Sequence, residues 1–375
     1  MKKTTDLRHP IRVHMTNITG LGAVQLLKSL LPSLERSPSH VLKVAYLPTI
    51  GELANYKIAD ISTRVIYYKR FLPNAISRIV ECIVPFAVFS GDEPLLVMGD
   101  VPLPNCGNQT VFVQSPLLTR SASSGRRLGA VKYWIARRLF QRNIKHVSAF
   151  IVQTEAMRVA LIDTYPEIGN RVYVIPQPAP NWLLDSGLKR TARIGKLNES
   201  LRLFYPAAVY PHKNHRLLDK ISPLDLDKWP ISDLILSIPD AINPNPALPW
   251  IQCVGRLDVD AMLNAYATVD ALLFLSLSES FGFPLVEAMW IGLPIICADR
   301  PYAHALCGEQ AIYFNPDDPD SLNSAIVHLH LKLAEGWWPD WSEQLKAIPS
   351  DWTEVAERML AVASGGRTGN LAAIN

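Results

Sequence analysis

The sequence predicts an α/β protein of two doubly wound domains, each a parallel sheet covered by helices. Three observations carry this. The chain has 375 residues, and single hydrophobic cores rarely grow beyond about 250–300 residues. Short apolar runs alternate with helical segments along nearly its whole length, the pattern of a parallel sheet. The alternation is broken once, by the stretch "PQPAPNWLLDSGLKRTARIGKLNES", which is rich in Pro, Gly and polar residues. Hydrophobic residues at 49% and charged residues at 19% exclude a disordered chain.

Taken in order, the first domain (1–180) offers the strands "IRVHM", "VLKVAYL", "TRVIYY", "PLLVMG", "TVFVQ", "AFIVQ" and "VYVIP". The segment "TNITGLGAV" after the first strand places Gly20 and Gly22 in a strand-to-helix turn. Gln25 stands where the third glycine of GxGxxG would be. Residues 181–200 read as the interdomain connection. The second domain (201–350) repeats the alternation with "LRLFYPA", "DLILSI", "WIQCVG", "DALLFLSL", "LPIICAD" and "AIYF". Residues 351–375 read as a final helix and tail. The tryptophans of "WWPDWSEQLKAIPSDW" are expected to pack rather than to bind sugar.

Charge is unevenly spread. The net charge is +3, but residues 1–180 hold 22 Lys/Arg against 11 Asp/Glu, and residues 181–375 hold 15 against 23. No acidic residue lies between Asp100 and Glu155, a span that carries Arg120, Arg126, Arg127, Lys132, Arg137, Arg138, Arg142 and Lys145. In "VKYWIARRLF", Val131, Trp134, Ile135 and Leu139 share one helical face, so segment 120–145 fits an anionic membrane surface. Nucleic acid is a poorer partner, since no known module and no ordered stacking aromatics accompany the charge. No apolar run reaches the roughly 18–20 residues of a membrane span. The start "MKKTTDLRHP" leads into no apolar signal core. Five cysteines without CxxC or Cys/His spacing argue against a disulfide framework or zinc site. The expected location is cytoplasmic, with a peripheral contact on the inner membrane face.

The most informative stretch is "SESFGFPLVEAM", residues 278–289. It follows a buried-strand run, and its Pro suits the first turn of a helix. Glu279 then lies before a glycine bend and Glu287 inside the helix, at the kind of strand-to-helix junction where open α/β sheets hold ligands. A helix N-terminus favours phosphate through its unsatisfied N–H groups and its dipole. Gly282 allows close backbone approach, and Glu287 suits a vicinal diol such as ribose.

The longer run "SLSESFGFPLVEAMWIGLPIICADRPYAHALCGEQAIYFNPDD" closely resembles the signature region of retaining GT-B glycosyltransferases, in particular glycosyltransferase family 4. Weaker agreement extends from about residue 150 through "FYPAAVYPHKNHRLL" to residue 330. The resemblance implies two Rossmann-like domains facing a central cleft, with the last helix crossing back to the N-terminal domain. It implies that Glu287 binds the ribose hydroxyls, that Glu279 contacts the donor sugar near its reacting carbon, and that Lys213 holds the phosphates. Phe281, Gly282, Phe283, Pro284 and Leu285 at the helix start, Asn214 beside the lysine, and the Gly20–Gly22 loop are then donor-binding residues. The implied reaction moves a hexose or deoxyhexose, mannose first, from a nucleoside diphosphate sugar to a glycan acceptor with retention of configuration. The acceptor expected is a lipid-linked bacterial polysaccharide intermediate. No cofactor and no metal are expected; "DLD", "DVD" and "DPD" read as loop acids.

Two positions depart from the family. Ala208 stands where an arginine often supplies a second diphosphate cation, and Gln114 or Ser115 stands where many members carry a histidine. A catalytically silent scaffold is therefore the alternative function. A nicotinamide oxidoreductase would need a fuller glycine fingerprint and an acidic residue after "VAYLP", which is absent. Among the histidines, His212 and His215 flank the lysine, and His304 in "DRPYAHAL" is the first to test.

Overall fold

A computed structural model describes residues 8–18, 21–70, 74–119, 127–191 and 200–365. They form two compact units, 1–177 with 349–375, and 178–348.

The first unit is built on a seven-stranded sheet: β1 (His9–His14), β2 (His40–Pro48), β3 (Arg64–Tyr68), β4 (Leu95–Val97), β5 (Gln109–Phe112), β6 (Val147–Val152) and β7 (Val172–Val174). The order is β3-β2-β1-β4-β5-β6-β7, with every pair parallel. Strands such as β4 and β5 are buried along their whole length, as sheets covered on both faces require. The helix Trp352–Ala363 belongs to this unit, packing on the helix Leu21–Glu35 and against β4, β5 and β6. Its register presents Trp352, Val355, Ala356, Met359, Leu360 and Ala363 to the core. The chain therefore does cross back to its first sheet. A charge sits inside that sheet: Arg12 on β1 is 2% exposed, and its guanidinium donates to the carbonyls of Phe89, Gly91, Glu93 and Cys106.

The second unit carries a six-stranded sheet: β8 (Leu201–Tyr205), β9 (Ile231–Leu236), β10 (Ile251–Cys253), β11 (Ala271–Phe274), β12 (Ile295–Ala298) and β13 (Ile312–Phe314). Its order, β10-β9-β8-β11-β12-β13, is again parallel throughout. The strand order reverses between β8 and β11, and in such sheets the crevice at the carboxyl ends of those two strands is where ligands bind. Within the connection expected over 181–200, residues 192–199 lie outside the described residues. Asn181–Leu184 is a short helix, and Ala179 and Leu183 are buried in this unit's core with Leu201 and Leu203.

The tryptophans pack. The indole N–H groups of Trp338 and Trp341 donate to the carbonyls of Gly292 (2.8 Å) and Leu293 (3.0 Å), fixing the turn into β12.

Candidate functional site

The loops that leave β8 and β11 meet at the switch point of the second sheet. After β8 the chain turns through Pro211–Lys213 into Asn214, a left-handed residue with φ 56°. After β11 it runs through Ser276 to Gly282. Main-chain contacts hold the two loops together: Leu277 N–H donates to the His212 carbonyl at 2.7 Å, and the Ser276 hydroxyl to the same carbonyl at 3.2 Å. Two buried tyrosines brace them from below. Tyr205 donates to the Lys213 carbonyl (2.7 Å) and Tyr302 to the Ser276 carbonyl (2.5 Å).

This bracing joins two residues 66 positions apart. The Lys213 ammonium pairs with the Glu279 carboxylate. Their side chains keep only 16% and 13% of their accessible surface, so the pair is shielded from water but not sealed. The ammonium also lies 5.7 Å from the centre of the Phe274 ring, on the favourable face for a cation. His212 stacks on Tyr210, rings 5.6 Å apart, and burial holds its imidazole below its ordinary range. His215 behind the loop is pushed down to about 4 by burial and then by the Lys213 charge. Near neutral pH, these two imidazoles leave the positive charge to Lys213. At the position of the absent arginine, Ala208 presents a methyl group.

Gly282 caps the helix Phe283–Ile291 with φ 95° and ψ 60°, a region that side chains with a Cβ rarely adopt. A Cβ there would also meet Leu285 Cδ1 at 3.3 Å. Pro284 sits in the first turn, where its missing N–H costs nothing. Phe281 is 1% exposed and packs edge-on with Phe283 (5.3 Å, 75°), and Leu285 is wholly buried. The side chains of Phe281 and Leu285 therefore shape the turn from inside. A ligand at this point meets backbone.

Glu287 lies one turn further on and is 6% exposed. Its Oε2 accepts a 2.6 Å hydrogen bond from the Tyr266 hydroxyl. Burial raises its carboxyl from the ordinary 4.5 to about 7, and the tyrosine bond pulls it partly back. The two glutamates thus differ in setting: Glu279 is paired with a cation at the loop, Glu287 is held in the interior by a phenol.

Other expected residues fall elsewhere. The Asn214 side chain is buried and donates to the Pro316 carbonyl at 2.8 Å, so it anchors the loop. Gly22 is in the first turn of Leu21–Glu35 with open space around it, and Gly20 lies outside the described residues. His304, in the helix Pro301–Cys307 that follows β12 rather than in a loop, stacks on Tyr313 (3.9 Å), and its Nε2 lies 2.7 Å from Asp299 Oδ1. In the first unit, Gln114 and Ser115 direct their N–H groups to Asp100 Oδ1 at 2.6 and 2.9 Å. Among the described residues no His/Cys/Asp/Glu group is arranged to hold a metal ion. Tyr266, Tyr205 and Tyr302 are supporting residues that spacing does not point to, since each acts through a hydroxyl delivered from another element.

Two parallel sheets of this order, with a lysine–glutamate pair and a glycine-capped helix at the switch point of the second, define the GT-B class of glycosyltransferase fold. Residues 240–331, within the second unit, match the family described as "Glycosyl transferases group 1". Sucrose-phosphate synthase from Thermosynechococcus elongatus superposes with a TM-score of 0.67 at 14% identity, covering 95% of this chain and 98% of that one. Anabaena HepE, solved in complex with UDP and glucose, gives a TM-score of 0.60 at 13% identity, covering 96% and 100%. In sequence, the O-antigen chain mannosyltransferase RfbU of Salmonella typhimurium is 27% identical over 128 residues, which are 32% of this chain and 36% of that protein. The matched region thus spans about a third of that relative's length.

Proposed function

We propose that this protein transfers a hexose or deoxyhexose, mannose first, from a nucleoside diphosphate sugar to a glycan acceptor, with retention of configuration. The acceptor we assign is a lipid-linked intermediate of a bacterial surface polysaccharide. One observation carries the reading: the sequence-distant Lys213 and Glu279 meet at the switch point of the second sheet, beside the N-terminus of a glycine-capped helix. A departing nucleoside diphosphate gains negative charge as the glycosidic bond breaks, and a fixed ammonium with a helix dipole stabilises that charge where water is limited. In the resting site Glu279 neutralises Lys213; the diphosphate takes over as the lysine's counter-ion and frees the carboxylate for the sugar. Glu287 supplies acceptor oxygens for the ribose. The relative's name as an O-antigen mannosyltransferase and the UDP and glucose in HepE support the donor class. The reaction as proposed uses no metal and no organic cofactor.

A lipid-linked acceptor requires work at a membrane surface in the cytoplasm. We assign that contact to the helix Arg127–Asn143, where Trp134 is 58% exposed and the Arg138 guanidinium lies 5.5 Å over its ring.

The test is turnover of a panel of nucleotide sugars with extracted lipid-linked acceptors, for the wild type and for Glu279→Ala. Transfer by the wild type, with Glu279→Ala binding nucleotide but transferring nothing, is the expected result. Nucleotide binding with no turnover of any sugar would establish the silent scaffold instead, and absence of nucleotide binding would end the donor-site assignment.

A further inference from the structure

The glutamate of the signature does not orient itself. Its partner, Tyr266, comes from the helix Val259–Thr268, which precedes β11. The phenol is wholly buried and its ring meets Phe204 of β8 edge-on, 5.2 Å between centroids at 83°. Arg190 clamps the end of that helix: its guanidinium donates to the carbonyls of Tyr266 (3.0 Å), Ala267 and Val269 (2.9 Å). The N–H of the same residue donates to the Ile291 carbonyl, the last residue of the helix that bears Glu287. Both helix ends are therefore tied to one residue, and the tyrosine hydroxyl is delivered to a fixed point.

We infer that Tyr266 is a positioning residue for donor binding, pinning Glu287 Oε2 so that Oε1 is presented to the ribose hydroxyls. The inference rests on the proposed reading of Glu287 as the ribose ligand. Oε1 has no protein donor among the described residues. The elements packed against the Glu287 helix bring other titratable groups, namely Tyr302, His304, Cys307, Cys297, Glu343 and Lys346. Of these, Tyr302 is spent on the Ser276 carbonyl, His304 on Asp299, and Lys346 pairs with Glu343; burial keeps the Cys297 thiol neutral beside Cys307. The hydrogen bond that bears on the carboxylate is the phenol's, and it favours the ionised form, which accepts two hydroxyls.

The experiment is calorimetric titration with GDP and UDP across neutral pH for the wild type, Tyr266→Phe and Glu287→Ala. Without the phenol, Glu287 keeps its proton to higher pH. Tyr266→Phe should bind the responding nucleotide about tenfold more weakly near neutrality, with the deficit closing roughly two pH units above the wild-type midpoint, where both carboxyls are ionised. Replacing Tyr266 by 3-fluorotyrosine strengthens the donor and should move the midpoint the other way, which keeps the test alive if the phenylalanine variant folds poorly. An unchanged midpoint, or weakening equal at every pH, would overturn the positioning role. Wild-type affinity in Glu287→Ala would instead remove the ribose assignment itself, and failure of both nucleotides to bind the wild type would remove both.

Discussion

At the scale of single residues, a buried carboxyl costs the fold stability. Glu287 is nearly inaccessible and its carboxyl is raised to about 7, so near pH 8 the fold carries a buried negative charge with one hydroxyl to offset it. A carboxyl raised on folding contributes stability that is whole below its unfolded value, near 4.5, and is lost as pH rises through about 7. Glu287→Gln keeps the shape and the acceptor for Tyr266 but removes the charge. The free protein should therefore gain stability at about pH 8, by at most about 3 kcal/mol, and gain nothing near pH 4.5, while nucleotide affinity falls. Thermal melts at the two pH values check the first part and nucleotide titration the second; a variant less stable than wild type at the higher pH would contradict the account. Lys213 and Glu279 show the complementary arrangement, two opposite charges paired and only partly shielded from water.

At the scale of elements, the turn after β11 decides where the helix Phe283–Ile291 points. Gly282→Ala places a Cβ at φ 95° and against Leu285 Cδ1. A left-handed alanine costs about 1–2 kcal/mol, which in a unit of this size lowers the melting temperature by about 2–6 °C. Nucleotide affinity should fall with it, because the helix start shifts relative to Lys213. Melting curves and titration of the same variant measure both, and an unaltered affinity would show that the turn does not face the ligand. This turn was legible in the sequence, since Gly-Phe-Pro after an apolar run is a local signal. The thirteen strands among the described residues were legible for the same reason: each coincides with a bounded apolar run, buried throughout in β4, β5, β11 and β12 and partly exposed in edge strands such as β3 and β10. The long-range pairs were not. Nothing local in "AYATVD" marks Tyr266 as the partner of Glu287, 21 residues away, and Arg12 in "IRVHM" gives no hint of the four carbonyls that accept its burial. The stretch before β8 shows the converse: composition marks where the chain turns, while two buried side chains, Ala179 and Leu183, decide which core it joins.

At the scale of the whole molecule, the excess positive charge is concentrated in residues 1–180. The helix Arg127–Asn143 exposes Trp134 with Arg138 laid over it, an aromatic and a cation of the kind that settle together at a lipid headgroup layer. If this helix docks on membrane, Arg138→Glu should weaken sedimentation with anionic liposomes roughly thirtyfold, since each cation near such a surface contributes about 1 kcal/mol and reversal counts twice. Sedimentation equal to wild type would assign the helix to solvent. No helix among the described residues is long and apolar enough to cross a bilayer.

The return of the helix Trp352–Ala363 to the first sheet also sets a timetable for biogenesis. The second unit is one unbroken stretch, 178–348, whereas the first needs residues from both sides of it. A ribosome therefore releases everything the second unit requires before it releases the helix that seals the first. The amino-terminal sheet, although made earliest, waits with an uncovered apolar face until Trp352, Val355 and Met359 emerge, and a chaperone that shields nascent strands would have its longest engagement there.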